Sequence, residues 1–143
     1  MIKTFNSLFV TMFGLGRIKF MPGTIGSLAT TVFLFYLFHS LNVPSNFILI
    51  GLIIIFIYSF YAVSSHIEGS KNKDPGEIVI DEFLGQSMPI YLYEISHGTT
   101  KENNEAIIYY ALFFILFRYF DIMKPFPVSL FDKNFKNSFG VIM

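Results

Sequence analysis

Cysteine is absent from this 143-residue chain, which removes disulfides, thiolate metal sites and cysteine nucleophiles together. Charge is scarce as well: Asp, Glu, Lys and Arg make up 14% of the residues, ten of each sign, and the formal net charge is zero. A chain with no global basic field, and no Lys/Arg run interleaved with aromatics, offers nucleic acid little to bind. Nucleic acid is therefore not expected as a partner. Also missing is a small-x-small cleavage pattern before Arg17 and Lys19, so the apolar stretch after Lys3 is read as a retained, interfacial amphipathic segment. His39, His66 and His97 are scattered, none with a partner at metal-ligand spacing.

What is present is hydrophobic. Such residues form 53% of the chain, Phe alone numbers 19, and positions 20–67 contain no Asp, Glu, Lys or Arg at all. This composition belongs in a bilayer. The uncharged run holds two helices of about 20 residues each, broken by Pro44 and Asn46, so helices are expected over 25–41 and 47–65 as a hairpin closed at Val43-Pro44-Ser45-Asn46. A polar loop over 66–77 ends in Asp74-Pro75-Gly76-Glu77. Asp as N-cap, Pro at the first helical position and Glu at the third form a capping box that opens a third helix and puts Asp81 and Glu82 in its second turn. A fourth helix over 105–121 stops near Lys124, because Pro125 cannot continue it. The uncharged parts of helices three and four are 11 and 12 residues long, short for full spans. The expected fold is all-α: one domain over residues 1–143, a polytopic membrane bundle of about four helices in two hairpins. Lys3, Arg17, Lys19, Lys71 and Lys73 flank the first hairpin and place the N-terminus, and with it every polar cluster, on the cytoplasmic side.

Chemistry-bearing residues fall into three clusters. Around Pro22-Gly23-Thr24-Ile25-Gly26-Ser27, small residues, helix-start N–H groups and the Thr24 and Ser27 hydroxyls can cradle an anion, or simply make a turn and a cap. In the second, Asp81 and Glu82 interrupt an apolar run, where ionised carboxylates are costly unless a cation or donors meet them. Oxygen donors of this kind suit Mg2+; a structural ion pair with Arg118 or Lys124 is the competing explanation. The third is Arg118, Asp121 and Lys124, spaced three apart at a helix end, which can neutralise one another or act on a phosphate.

Taken in order along the chain, these stretches resemble the phosphatidylglycerophosphatase A family. Its pattern is Pro-Gly-Thr-x-Gly-Ser, then Asp-Pro with a later Asp-Glu-x-x-Gly, then Phe-Arg-x-Phe-Asp-x-x-Lys-Pro-x-Pro. Here the matching residues are Pro22 to Ser27, Asp74-Pro75, Asp81-Glu82-Phe83-Leu84-Gly85, and Phe117-Arg118-Tyr119-Phe120-Asp121-Ile122-Met123-Lys124-Pro125-Phe126-Pro127. Lys19 replaces a proline common in the family. The resemblance also implies an acidic pair and a final hydrophobic helix beyond Gly140-Val141-Ile142-Met143, so the chain is expected to be truncated at its C-terminus.

The resemblance implies Mg2+-dependent removal of the phosphomonoester from phosphatidylglycerophosphate, a membrane phospholipid, in the bacterial inner membrane. On that footing Asp81, Glu82, Asp121 and Asp74 are the expected metal ligands. Gly23, Thr24, Ser27, Arg118 and Lys124 are expected to bind phosphate, with Asp81, Asp121, Arg118 and Lys124 catalytic. Direct water attack is favoured by elimination, since there is no Cys-x5-Arg, no Asp-x-Asp-x-Thr/Val and no His/Arg phosphatase signature, with an aspartyl-phosphate through Asp81 as the other route. Two further readings stay open: a non-catalytic ion-binding or assembly membrane protein, and an enzyme of the same family acting on a related phosphomonoester. A homo-oligomer is also left open.

Overall fold

The computed structural model describes residues 2–69, 77–97 and 103–123, and over them the chain is helical. Five α-helices follow in order: α1 Ile2–Val10, α2 Pro22–Phe35, α3 Ser45–Gly69, α4 Ile80–His97 and α5 Asn103–Met123. A 3-10 turn at Leu15–Arg17 precedes α2, and a π-helical turn at Tyr36–Ser40 prolongs it. The all-α expectation stands, with one helix more than the four expected. That helix is α1, which is not merely interfacial: Asn6 and Val10 are buried against α3, where the Tyr58 hydroxyl donates to Asn6 Oδ1 at 2.6 Å.

Local chemistry accounts for most boundaries. Pro22 sits at the start of α2, where its fixed φ suits the helix and its missing N–H has no intrahelical acceptor to lose. At the far end the Leu41 N–H reaches back to the Tyr36 carbonyl at 3.0 Å, Asn42 turns left-handed at φ 49, and Pro44 forbids continuation. The start of α4 departs from the capping-box expectation. It begins at Ile80, so Asp81 and Glu82 lie in its first turn, not its second. The reason is tertiary: the Val79 N–H donates to the Val10 carbonyl at 3.0 Å, and the Val79 carbonyl accepts from Phe83 N–H at 3.2 Å. A backbone donor spent on α1 leaves residues 78 and 79 outside the helix. Glu77 is exposed and 3.9 Å from Arg17, an ion pair worth little in water. Asp74, Pro75 and Gly76 lie outside the described residues.

The first two long helices are joined by the expected short turn, yet α2 turns its main contact to α4 and α3 to α1, while α4 packs on α2, α3 and α5. One core gathers Val10, Ala62, Val63, Ile78, Ile80 and Phe83 where α1, α3 and the start of α4 meet. A second gathers Leu34, Ile48, Ile90, Tyr93 and Tyr110 toward the opposite end. Two segments, Ser45–His66 and Asn104–Met123, are long and apolar enough to cross a membrane. Within the most apolar 18 residues of each, only 22% and 11% are buried, unlike the mostly buried core helix of a soluble protein. Their exposed faces carry Phe47, Ile50, Ile54 and Ile57 on α3 and Ile108, Ile115 and Ile122 on α5, side chains suited to lipid. The shortness expected of helix four is thus corrected: α5 reaches span length because Arg118 and Asp121 lie near its end.

Candidate active site

Three helix ends converge at one end of the bundle. The N-terminus of α2 contributes Gly23, Thr24 and Ser27, the N-terminus of α4 contributes Asp81 and Glu82, and the last turns of α5 contribute Arg118 and Asp121. Gly23 is the point of closest approach. A Cβ there would run into Glu82 Oε1 and stand 3.3 Å from Arg118 Nη1, so the glycine lets the ends of both side chains lie against the α2 backbone.

Arg118 is tied down on one side only. Its Nη1 donates to Asp121 Oδ2 at 2.9 Å and to Ser27 Oγ at 3.4 Å, while Nε is buried with no acceptor. The guanidinium side chain is 13% exposed and the Asp121 carboxylate 38%, which leaves the pair at the mouth of the site rather than sealed in the core. Ser27 is committed differently from a free phosphate donor: its hydroxyl donates to the Gly23 carbonyl at 2.8 Å and accepts from Arg118. It steadies the arginine. The Thr24 hydroxyl is buried and has no hydrogen-bond partner.

Asp81 and Glu82 form the acidic half. Burial first, and then the hydrogen bond and charge of Glu82, push the Asp81 carboxyl well above its ordinary range. Asp81 Oδ1 and Glu82 Oε2 are both enclosed without a hydrogen-bond partner. Such atoms carry a desolvation cost that a cation offsets. The N-terminus of α4 lowers the cost for acids in its first turn, but a helix dipole does not saturate two adjacent carboxylates. Among the described residues no group of three or more His, Asp or Glu side chains is arranged to hold a metal. Asp81 and Glu82 form a pair, Asp121 faces Arg118, and Asp74 and Lys124 lie outside the described residues. Two carboxylates still fit Mg2+, which takes one or two of them and completes its shell with water and substrate phosphate.

Sequence reasoning missed Gln86. It is fully buried one turn below Glu82, and neither its amide nitrogen nor its amide oxygen has a partner. The signal was there: an amide four residues after Glu82 shares its helix face. At the other end of the bundle, His39 stacks on Phe35 at 4.5 Å and meets Tyr110 edge-on at 5.8 Å. His97 packs against Tyr93 at 4.7 Å. These histidines are remote from the acids, in line with the scatter read from the sequence.

The arrangement pairs a half-free arginine with a cation-seeking carboxylate pair at the rim of a lipid-facing bundle. A family profile described as phosphatidylglycerophosphatase A matches residues 8–143. The chain belongs to the phosphatidylglycerophosphatase A family. It is similar to the phosphatidylglycerophosphatase A of Haemophilus influenzae, with 36% identity over 92% of this chain and 74% of the relative. The phosphatidylglycerophosphatase A of Escherichia coli is 30% identical over 92% of this chain and 69% of its own length. A Bacteroides thetaiotaomicron protein, whose name carries a provisional phosphatidylinositol-3-phosphatase assignment, is 31% identical over 93% and 79%. No solved structure matches. Membership makes the chain a phosphoric monoester hydrolase and a membrane protein.

Proposed function

We propose that this phosphatidylglycerophosphatase A family member hydrolyses phosphatidylglycerophosphate to phosphatidylglycerol and inorganic phosphate for phospholipid synthesis. The proposed place is the cytoplasmic face of the bacterial inner membrane. The observation that carries the reading is the meeting of Gly23, Glu82 and Arg118, which lets an anionic headgroup be gripped while its acyl chains stay in the bilayer. Arg118, with Nε turned to no acceptor, binds phosphate oxygens and stabilises the charge that grows on them. Asp121 and Ser27 hold that guanidinium in place. The Thr24 hydroxyl adds a further donor at the start of α2. Asp81 and Glu82 would hold Mg2+, with water and substrate phosphate completing its shell. When bound, the ion neutralises phosphate charge and lowers the pKa of water.

Purified protein in detergent micelles should release phosphate from phosphatidylglycerophosphate in the presence of Mg2+ and lose that activity on chelation. No release under either condition would remove the reading. Phosphatidylinositol 3-phosphate belongs in the same assay, because one relative's name points to it. Faster turnover of that lipid would move the substrate while leaving the chemistry unchanged.

A further inference from the structure

Asp81 and Glu82 can serve the site only if α4 starts in the right place, and one residue is gripped from three sides at that start. Val79 is 1% exposed. Its N–H is held by the Val10 carbonyl at the end of α1, and its carbonyl accepts the first bond of α4 from Phe83. Its side chain lies in a saddle of two glycines. A Cβ on Gly26 of α2 would stand 3.2 Å from Val79 Cβ, and one on Gly16, in the 3-10 turn, 3.3 Å from Val79 Cγ2. The Gly16 Cβ would also run into the Glu77 carbonyl oxygen.

We propose that Val79, wedged between Gly16 and Gly26, is the positioning residue that sets where α4 begins and hence where Asp81 and Glu82 stand. A β-branched side chain has little χ1 freedom, so it transmits position rather than absorbing it. The spacing makes it a two-point gauge. Val79 precedes Glu82 by three residues and Gly26 follows Gly23 by three, so α4 touches α2 at Val79–Gly26 and again where Glu82 leans back toward Gly23. A shift at the first contact is carried to the carboxylates by the rigid first turn of the helix. The inference rests on the proposed phosphatase reaction for its assay and on the packing for its logic.

The test is a substitution series at Gly26 and Val79 on the full chain in detergent, using phosphatidylglycerophosphate and phosphatidylinositol 3-phosphate as separate substrates, with thermal unfolding as a control for folding. Gly26→Ala, whose Cβ would make Val79 give by a few tenths of an ångström, should lower kcat on the order of 10-fold, less than the ~100-fold of a misplacement by about an ångström, with KM little changed. Val79→Ala keeps the Cβ that the new methyl meets at 3.2 Å and loses the branching, so it should lower kcat by itself and leave Gly26→Ala unrescued, whereas Val79→Thr, isosteric and still β-branched, should keep most of the wild-type kcat. Wild-type kcat in Gly26→Ala or in Val79→Ala, or a Val79→Thr variant as slow as Val79→Ala, would each overturn the positioning role. Should Gly26→Ala not fold, Val79→Ala decides: a folded variant with wild-type kcat counts against the proposal, and a folded variant with lowered kcat and little-changed KM supports it. A wild-type protein active only on the second lipid changes the substrate of the proposed function and leaves this test intact.

Discussion

Asp81 is the residue at which burial and charge oppose each other most directly. Its carboxyl is held above the ordinary value of 3.8 by burial and then by Glu82, so the fold favours the protonated form. A folded-state pKa above the unfolded one adds stability that is complete below 3.8 and is lost as the pH climbs through the raised value. Chelator-treated protein should therefore show a falling thermal midpoint as the pH rises from the ordinary carboxylate range toward neutrality, and Asp81→Asn should flatten that slope. Equal slopes in the two proteins would show that Asp81 is not the group responsible. At neutral pH the same substitution should abolish turnover while leaving membrane insertion intact, and an active Asp81→Asn protein would end its proposed role as a ligand. Arg118 makes the complementary case. Arg118→Ala should cost about 100-fold or more in kcat/KM, the scale of losing one charge-stabilising donor, and unchanged phosphate release would remove it from the site.

Elements carry these residues to one place, and their legibility differed with the forces that define them. α3 was readable because an uninterrupted apolar run bounded by Pro44 and polar residues leaves little alternative to a helix. The start of α4 was not, because the capping pattern at residues 74–77 is local whereas the Val79–Val10 bond joins segments far apart in the chain. α1 looked like an interfacial segment since its partner, Tyr58 on α3, cannot be inferred from periodicity. Within the site, Gly23, Glu82 and Arg118 were chosen from motif and residue type, but their mutual contact depends on a missing Cβ. Gly23→Ala should lower activity on the order of 100-fold, as displaced reacting groups do, with helical circular dichroism unchanged. Gly51→Ala is the matched comparison. No atom lies within 4 Å of a Cβ there, so activity should hold and stability should rise by about 0.5–1 kcal/mol. Activity that survives Gly23→Ala would mean that Glu82 and Arg118 need not approach α2.

At the scale of the molecule, the bundle keeps its polar chemistry at one end and presents apolar side chains along α3 and α5. The ordering follows from solvent: a catalytic rim needs water and phosphate, while exposed Ile and Phe along a 20-residue helix need lipid. Acids are tolerated at Asp81 and Asp121 because each lies near a helix end, within reach of donors, a cation or the interface. The middle of α5 offers none of these. Ile115, 62% exposed, sits there. Ile115→Asp should weaken insertion of α5 by about 3 kcal/mol, the difference between the two residues at the centre of a span, whereas Ile115→Leu should be neutral. The measurement is the fraction of chain integrated into microsomal membranes, read from a glycosylation tag beyond α5. Full integration of the Asp variant would show that this face of α5 does not meet lipid, and the active site would then have to be reached from water rather than from the bilayer.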